Sequence, residues 1–329
     1  MSGKIIPYHL RQNKAVDRYA FIELLARIDR FLPILEYRYI GFGGHSLEDF
    51  KYIHDRFGLK NMTSIESDEE VFKRQEFNQP YGCIDRINQG SSEFIDDYNR
   101  EEKTISWLDY VEAAKLRTQV EEFQQVIIKS DIFDIIKITL NANLSEYQAA
   151  EESRSDEIQA RRIDKLKEML GEEDLFPSAD ISPRMMTHKE FPYVLNMTLK
   201  HAANLALKGK KDIYFQPLTC FSYQDGQQMM TLTGIILDDE ESESFFDKTS
   251  LKAWELSKTD WSKPRPIDIP DLTIRERLFI DRLLPNSTPE EIQDKLEFQF
   301  DRSEKKSIDM LRTYIMFYRQ SPYFSRILV

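Results

Sequence analysis

The sequence has few cysteines and no long apolar run. Only Cys83 and Cys220 occur among 329 residues, and they form no CxxC pair, which excludes a disulfide framework and suits a reducing compartment. No stretch approaches the roughly 18 apolar residues of a membrane helix, and the first residues lack the apolar core of a signal peptide. We therefore expect a cytoplasmic protein without a membrane segment.

Histidine clusters and excess positive charge are also missing. The 5 histidines form no HxxxH pair and no cluster with cysteine, so zinc is disfavoured and we expect no metal site. Lys and Arg number 45 against 57 Asp and Glu, a net charge of -12. A field of this sign repels nucleic acid and anionic membranes, so we expect neither as a partner.

What is present is an alternation of short apolar runs and amphipathic helical stripes. Predicted strands cover residues 37–42, 62–66, 83–88, 105–108 and 132–140, with helical patterns between most of them. This alternation predicts a mainly parallel sheet covered on both faces. Two further strands, 213–223 and 229–237, flank an Asp225-Gly226 turn, which predicts a hairpin and an antiparallel last strand.

The remaining segments suggest a division of the chain. We interpret residues 1–32 as an N-terminal helical lid and residues 33–250 as a Rossmann-like domain, with a charged helical cap inserted at 145–175. Prolines between residues 254 and 270 predict an extended linker. Residues 270–329 then form a small C-terminal helical subdomain.

A glycine turn, Gly41-Phe42-Gly43-Gly44, ends the first strand, and Glu66 ends the second. In a doubly wound fold this edge leaves a crevice where glycine lets a ligand approach and an acidic residue accepts hydrogen bonds from ribose hydroxyls. The next helix begins with Glu48 and Asp49, whose charges oppose a phosphate. S-adenosylmethionine carries adenosine without phosphate, so the sequence favours it over a dinucleotide.

Four motifs at the predicted strand ends, together with the terminal hairpin, carry a family resemblance. They are Tyr39–Gly44, Ser64–Ser67, Gln89–Ser92 and Trp107–Tyr110. Over roughly residues 15–240 the chain resembles class I S-adenosylmethionine-dependent methyltransferases, in particular bacterial O-methyltransferases. The resemblance implies a doubly wound, mostly parallel seven-stranded sheet in which only the last strand is antiparallel.

The resemblance also implies roles for individual residues. The expected cofactor-binding residues are Gly41, Phe42, Gly43 and Gly44 near the methionine part, Glu66 at the ribose, and Gln89, Gly90 and Ser91 at the adenine edge. Asp109 is the expected base or orienting group in the methyl-transfer pocket, with the alternative that it caps the following helix.

Other polar residues are candidates for the substrate pocket or the lid: Arg11, Lys14, Tyr110, Asn141 and Asn143. Asn141 and Asn143 follow the fifth strand, where their alternative role is to shape the strand exit. Arg11 and Lys14 precede the first helix and could meet an anionic group of cofactor or substrate, or could be solvated helix-start residues.

Three functions stay open at this point. The first is an S-adenosylmethionine-dependent methyltransferase acting on an oxygen or nitrogen of an unknown acceptor. The second is a degenerate methyltransferase-like binding module, suggested by Tyr39, His45 and Gln89, which depart from the family's usual pattern. Such a module would contact a protein partner through the charged insertion and the C-terminal helices, and those helices could also form a homo-oligomer. The third is a nucleotide-dependent oxidoreductase, which shares the opening βαβ unit.

Overall fold

The computed structural model describes residues 11–147 and 155–321, excluding the side chain of Ser155. The strands are β1 Arg38–Gly41, β2 Asn61–Ile65, β3 Ile84–Ile87, β4 Thr104–Asp109, β5 Ile135–Asn141, β6 Ile213–Gln224, β7 Gln228–Asp238 and β8 Arg265–Ile267. The helices are α1 Gln12–Ile28, α2 Glu48–Phe57, α3 Glu69–Asn78, α4 Ser91–Asp97, α5 Leu116–Lys129, α6 Ser155–Leu170, α7 Phe191–Ala206, α8 Asp239–Thr249, α9 Ile274–Asp281, α10 Pro289–Leu296 and α11 Glu304–Phe317.

The described strands form one sheet in the order β3-β2-β1-β4-β5-β7-β6-β8. β1 to β5 pair in parallel, and β7 pairs with β5 in the antiparallel direction, with Ile138 opposite Leu232. The predicted α/β class, the mostly parallel sheet and the reversed last strand of the hairpin are therefore confirmed. The strand count differs from the expected seven because β8 forms within the segment that we predicted as a linker.

The two faces of the central strands differ in polarity. On one face Ile136, Ile138 and Leu140 of β5 belong to the main hydrophobic core, together with residues of α5 and α7. The other face carries Trp107 and Lys137, both almost fully buried. Lys137 Nζ lies 4.7 Å from the Trp107 ring centroid, so the aromatic ring contributes to holding the buried ammonium.

The amino-terminal edge of the sheet is held by a buried carboxylate. Arg100 Nε and Nη2 donate to Asp134 Oδ2 and Oδ1 at 2.6 and 3.2 Å, and the Thr104 N–H donates to Oδ1 at 2.8 Å. Burial raises the pKa of Asp134, although Arg100 and the backbone donors oppose that shift. These bonds join the start of β4 to the start of β5, at the edge opposite the glycine turn.

The chain divides into two compact units. Of the described residues, the larger covers those within 22–222 and 227–265 and contains β1 to β5 and α2 to α8. The smaller covers 11–21, 223–226 and 266–321. In the smaller unit, α9 and α10 begin with capping boxes in which Thr273 pairs with Glu276 and Thr288 pairs with Glu291. Threonine and glutamate at this spacing satisfy free N–H groups at the start of a helix.

Several predicted boundaries move in the structure. Within the helical cap expected at 145–175, α6 is followed by a π-helical turn, Gly171–Leu175, and residues 148–154 lie outside the described residues. The same holds for residues 1–10 of the predicted lid and 322–329 of the predicted C-terminal subdomain. Within the described part of the chain, every helix is too short or too polar to cross a membrane.

We expect Asp134→Asn to lower the free energy of unfolding by about 2–4 kcal/mol, because the amide turns a donor towards Arg100 or the backbone N–H groups that the carboxylate accepts. Urea denaturation of the full chain measures this. Lys115→Ala is the control, since it removes an exposed ion pair with Glu112 and should leave the midpoint unchanged. An unchanged midpoint for Asp134→Asn would show that this contact does not hold the sheet edge.

Candidate functional site

The predicted site residues that follow strands β1 to β5 lie along the carboxyl edge of the parallel sheet. Gly41 at the end of β1 is paired with Ser64 of β2 and with Trp107 of β4. Ile65 is paired with Ile87 of β3, and Asp109 with Thr139 of β5. Because neighbouring strands lie about 4.8 Å apart, the chain segments that follow these strand ends are adjacent.

Two glycines of the turn pack closely against side chains of the protein itself. A Cβ on Gly41 would lie 2.9 Å from the Tyr39 hydroxyl, and one on Gly43 would lie 2.2 Å from Leu47 Cδ2. By contrast, a Cβ on Gly44 or on Gly90 would meet nothing within 4 Å among residues 11–147 and 155–321. Gly41 and Gly43 are therefore required for packing, whereas the backbone at Gly44 and Gly90 is open to a ligand.

Leu47, rather than Ser46, is the residue that precedes α2. Leu47 caps this helix with φ 53°, in the left-handed region. Its side chain is fully buried beside Gly43, and its N–H donates to the Gly43 carbonyl at 2.9 Å. Burial of the leucine offsets a backbone strain of roughly 1 kcal/mol or more.

Behind the turn lies Gln75 of α3, which the sequence analysis did not select. The Gly43 N–H donates to Ser64 Oγ at 3.3 Å, and the Ser64 hydroxyl donates to Gln75 Oε1 at 3.2 Å. Gln75 is fully buried, and its Nε2 has no hydrogen-bond partner in the described part of the chain. Gln75 is a buried residue on a helix that is otherwise largely exposed. The spacing of apolar residues does not reveal this, so the sequence carries no signal that distinguishes Gln75.

Glu66 follows β2 directly and is half-buried. Its Oε1 accepts the Asp68 N–H at 2.9 Å, and its carbonyl accepts the Gln89 N–H at 3.1 Å. Burial raises the pKa of Glu66, while the hydrogen bond from Asp68 acts in the opposite direction. The carboxylate is thus held in one orientation, at the position where the sequence predicted a ribose acceptor.

Ser91, predicted at the adenine edge, and the neighbouring Ser92 contact Glu122 of α5, a residue that the sequence pattern did not single out. Ser91 donates its hydroxyl to Glu122 Oε1 at 3.0 Å, and Ser92 donates to the same oxygen. Gln89 is half-buried and its Nε2 donates to Asp97 Oδ2 at 3.4 Å. The Ser91 hydroxyl is therefore used within the protein.

Tyr110 and Asp109 end β4 beside the turn. The Tyr110 hydroxyl donates to Glu122 Oε2, and its ring meets Phe42 edge-on with centroids 5.3 Å apart. Burial and the neighbouring Glu122 raise the pKa of Tyr110 well above its usual value. Asp109 is half-buried at the last position of β4. The structure thus brings Phe42, Tyr110 and Asp109 to the same corner.

Asn141 and Asn143 are engaged in shaping the exit of β5. Asn141 Nδ2 donates to the Val111 carbonyl at 2.8 Å and to Gln227 Oε1 at 2.7 Å, and its Oδ1 accepts the Asn143 N–H at 2.8 Å. Asn143 Oδ1 in turn accepts the Ser145 N–H at 3.1 Å. These bonds match the alternative role that the sequence left open, and a contact with substrate stays a prediction.

Arg11 and Lys14 belong to the smaller unit. Lys14 is almost fully buried, and its N–H donates to Asp225 Oδ2 at 2.7 Å. Arg11 is half-buried. Their predicted function in a lid stays a prediction.

The first turn of α2 is acidic, and this charge affects which ligands are favoured at the edge of the sheet. Glu48 and Asp49 lie in its first turn, and Glu48 forms an ion pair with Lys51 at 3.0 Å. Burial lowers the pKa of the nearby His45, which favours its neutral form. Among the residues that the structure describes, no three His, Cys, Asp or Glu side chains lie together as a metal site would require.

The protein has a Rossmann-like α/β fold, as its strand order and the reversed β7 define. In such a fold the ends of the parallel strands, here with an open backbone after β1, are where a ligand binds. The chain belongs to the family described as "Putative O-methyltransferase", whose model matches residues 6–329. The expected resemblance to O-methyltransferases is thereby confirmed.

The similar solved structures include a methyltransferase complex and a cofactor-bound protein. The plantazolicin methyltransferase BpumL with a pentazolic analogue and SAH is 10% identical, with a TM-score of 0.39, covering 67% of this chain and 85% of that chain. Cofactor-bound Rv0187 from MTB is 9% identical, with a TM-score of 0.38, covering 67% and 79%. No curated protein matches the sequence.

We expect Gly43→Ala to lower the free energy of unfolding by about 1–3 kcal/mol, because the added methyl overlaps the buried Leu47 and Ser64 side chains. Thermal or urea denaturation measures the change. Gly82→Ala is the matched control, since a Cβ there meets no described residue within 4 Å and its φ is not left-handed. Equal stability of the Gly43 and Gly82 variants would contradict the packing role of Gly43.

Proposed function

We propose that the protein binds S-adenosylmethionine at the edge formed by the β1, β2 and β3 exits and transfers its methyl group to an oxygen of an acceptor. The observation that carries this proposal is the half-buried Glu66 beside the glycine turn, in a chain of the O-methyltransferase family. Its carboxylate is oriented by the Asp68 N–H and suits the two hydroxyls of a ribose.

The residues present fit the cofactor. The backbone at Gly44 and Gly90 is open on the side where a Cβ would stand, so a ligand can approach both turns closely. The acidic first turn of α2 opposes a pyrophosphate, which argues against the oxidoreductase alternative, whereas a sulfonium is compatible with it. Gln89 and the start of α4 would meet the adenine, and Phe42 the methionine part.

When bound, S-adenosylmethionine supplies a methyl group already activated by a sulfonium, so the protein's work is largely positioning. We assign Asp109 as the group that orients the acceptor hydroxyl and accepts its proton as the methyl group is transferred. Asn141, Asn143, Arg11 and Lys14 remain candidates for contacts with the acceptor. A cytoplasmic location and a partner or second copy at the C-terminal helices also remain proposals.

We expect the full chain to bind S-adenosylhomocysteine in calorimetry. Glu66→Gln should weaken this binding about tenfold near neutral pH, because a ribose hydroxyl of the ligand loses a charged acceptor. Since burial raises the pKa of Glu66, protonation begins above the usual range of a glutamate. The ionised form binds the ribose better, so affinity should fall as the pH falls through this raised pKa.

Calorimetric titrations repeated at stepwise lower pH measure both effects. The Glu66→Gln variant should show a flat profile, since the residue no longer titrates. Absence of any binding to the wild-type chain would overturn the proposed function, and equal profiles for wild type and variant would remove Glu66 from the site.

We expect Asp109→Asn to lower methyl transfer by roughly 10²-fold or more while leaving S-adenosylhomocysteine affinity within about twofold, because the amide cannot accept the proton. The assay follows S-adenosylhomocysteine release with a panel of phenols, catechols and carboxylic acids. Glu112→Gln is the control, a neighbouring exposed carboxylate that should not affect turnover. Full turnover by the Asp109 variant would reject this role.

A further inference from the structure

Glu122 is a buried carboxylate that lies behind the candidate site on α5. It is 6% exposed, and three hydroxyls donate to it: Ser91 and Ser92 to Oε1, and Tyr110 to Oε2. Carboxylates are rarely buried without being hydrogen-bonded on both oxygens, and here all three donors are neutral. The side chain therefore acts as an acceptor at the centre of a small polar network.

The three donors come from two different strand exits. Ser91 and Ser92 begin α4, directly after the β3 exit, and Tyr110 follows β4. Tyr110 extends the connection to the glycine turn after β1, because its ring contacts Phe42 at 5.3 Å between centroids. One side chain on α5 thus connects the exits of β3 and β4, and through Tyr110 that of β1.

We propose that Glu122 is a positioning residue that holds these exits in the arrangement that binds the adenosyl cofactor. The inference rests on the proposed function, since it concerns the same site. Glu122 need not touch the ligand: it fixes the start of α4, where the adenine edge is expected, and the Tyr110 ring against Phe42. Loss of the carboxylate leaves three hydroxyls without their acceptor, so the segments that carry them gain conformational freedom. Ordering these segments on binding then costs free energy and lowers the affinity.

The experiment compares Glu122→Ala and Glu122→Gln with wild type, at a temperature where denaturation curves show each to be folded. Calorimetry with S-adenosylhomocysteine and with 5′-methylthioadenosine gives the affinities. We expect Glu122→Ala to lose about tenfold or more for both ligands, since both contain the adenosine that the positioned segments would contact. Glu122→Gln should recover part of the loss, because its Oε1 can still accept from both serines.

Asp134→Asn is the matched control, a buried carboxylate with several hydrogen bonds at the opposite edge of the sheet. It should lower stability without changing either affinity, which separates positioning from general destabilisation. Amide hydrogen exchange of the ligand-free variants is a second readout: Glu122→Ala should lose protection near residues 91–95 and 110–113, and Asp134→Asn should not.

The outcomes separate the two proposals. If wild type binds and Glu122→Ala binds equally well, or if Asp134→Asn loses as much affinity as Glu122→Ala, the positioning role is wrong and the proposed function stands. If wild type binds neither ligand, the proposed function fails and the cofactor role of Glu122 with it. Unchanged exchange in Glu122→Ala would also overturn the inference.

Discussion

The parallel pairing of β1 with β2 on one side and β4 on the other is the constraint on which the candidate site depends. It sets Gly41 opposite both Ser64 and Trp107, so the glycine turn, Glu66 and Asp109 leave the sheet at one edge. A slip of one residue in β4 would turn Trp107 and Asp109 to the opposite face, because side chains alternate along a strand. The register is fixed by burial, since Trp107 is almost completely enclosed and donates to Thr139.

The electrostatics of this edge follow from how its carboxylates are held. Glu66 accepts a backbone N–H, and Glu122 accepts three hydroxyls. Neutral donors orient a carboxylate without cancelling its charge, and the first turn of α2 adds Glu48 and Asp49. An edge of this kind is unfavourable to phosphate groups, whose usual sites combine free helix N-termini with basic side chains. The same charge distribution is compatible with a cationic cofactor.

Features with local causes could be predicted from the sequence. Gly58 ends α2 in the left-handed conformation, Asp68 caps α3, and Thr273 and Thr288 open their helices with capping boxes. Each depends on residues within one turn of helix, so the pattern is sufficient. Glu48 and Asp49 open α2 as expected, but no local pattern revealed that Leu47 caps the helix in a left-handed conformation, because this depends on its burial beside Gly43. The short strand β8 was missed because prolines dominate its surroundings.

The sequence by itself determined the order of strands and helices, the hairpin with its reversed strand, and the identity of the polar residues at the strand exits, because these follow from periodicity and turn chemistry over short distances. Only the tertiary structure decided that Gly41 and Gly43 make room for Tyr39 and Leu47, and that Ser91 and Tyr110 share Glu122. Those contacts join residues from different elements, and their existence depends on strand register and helix packing, which no local pattern encodes.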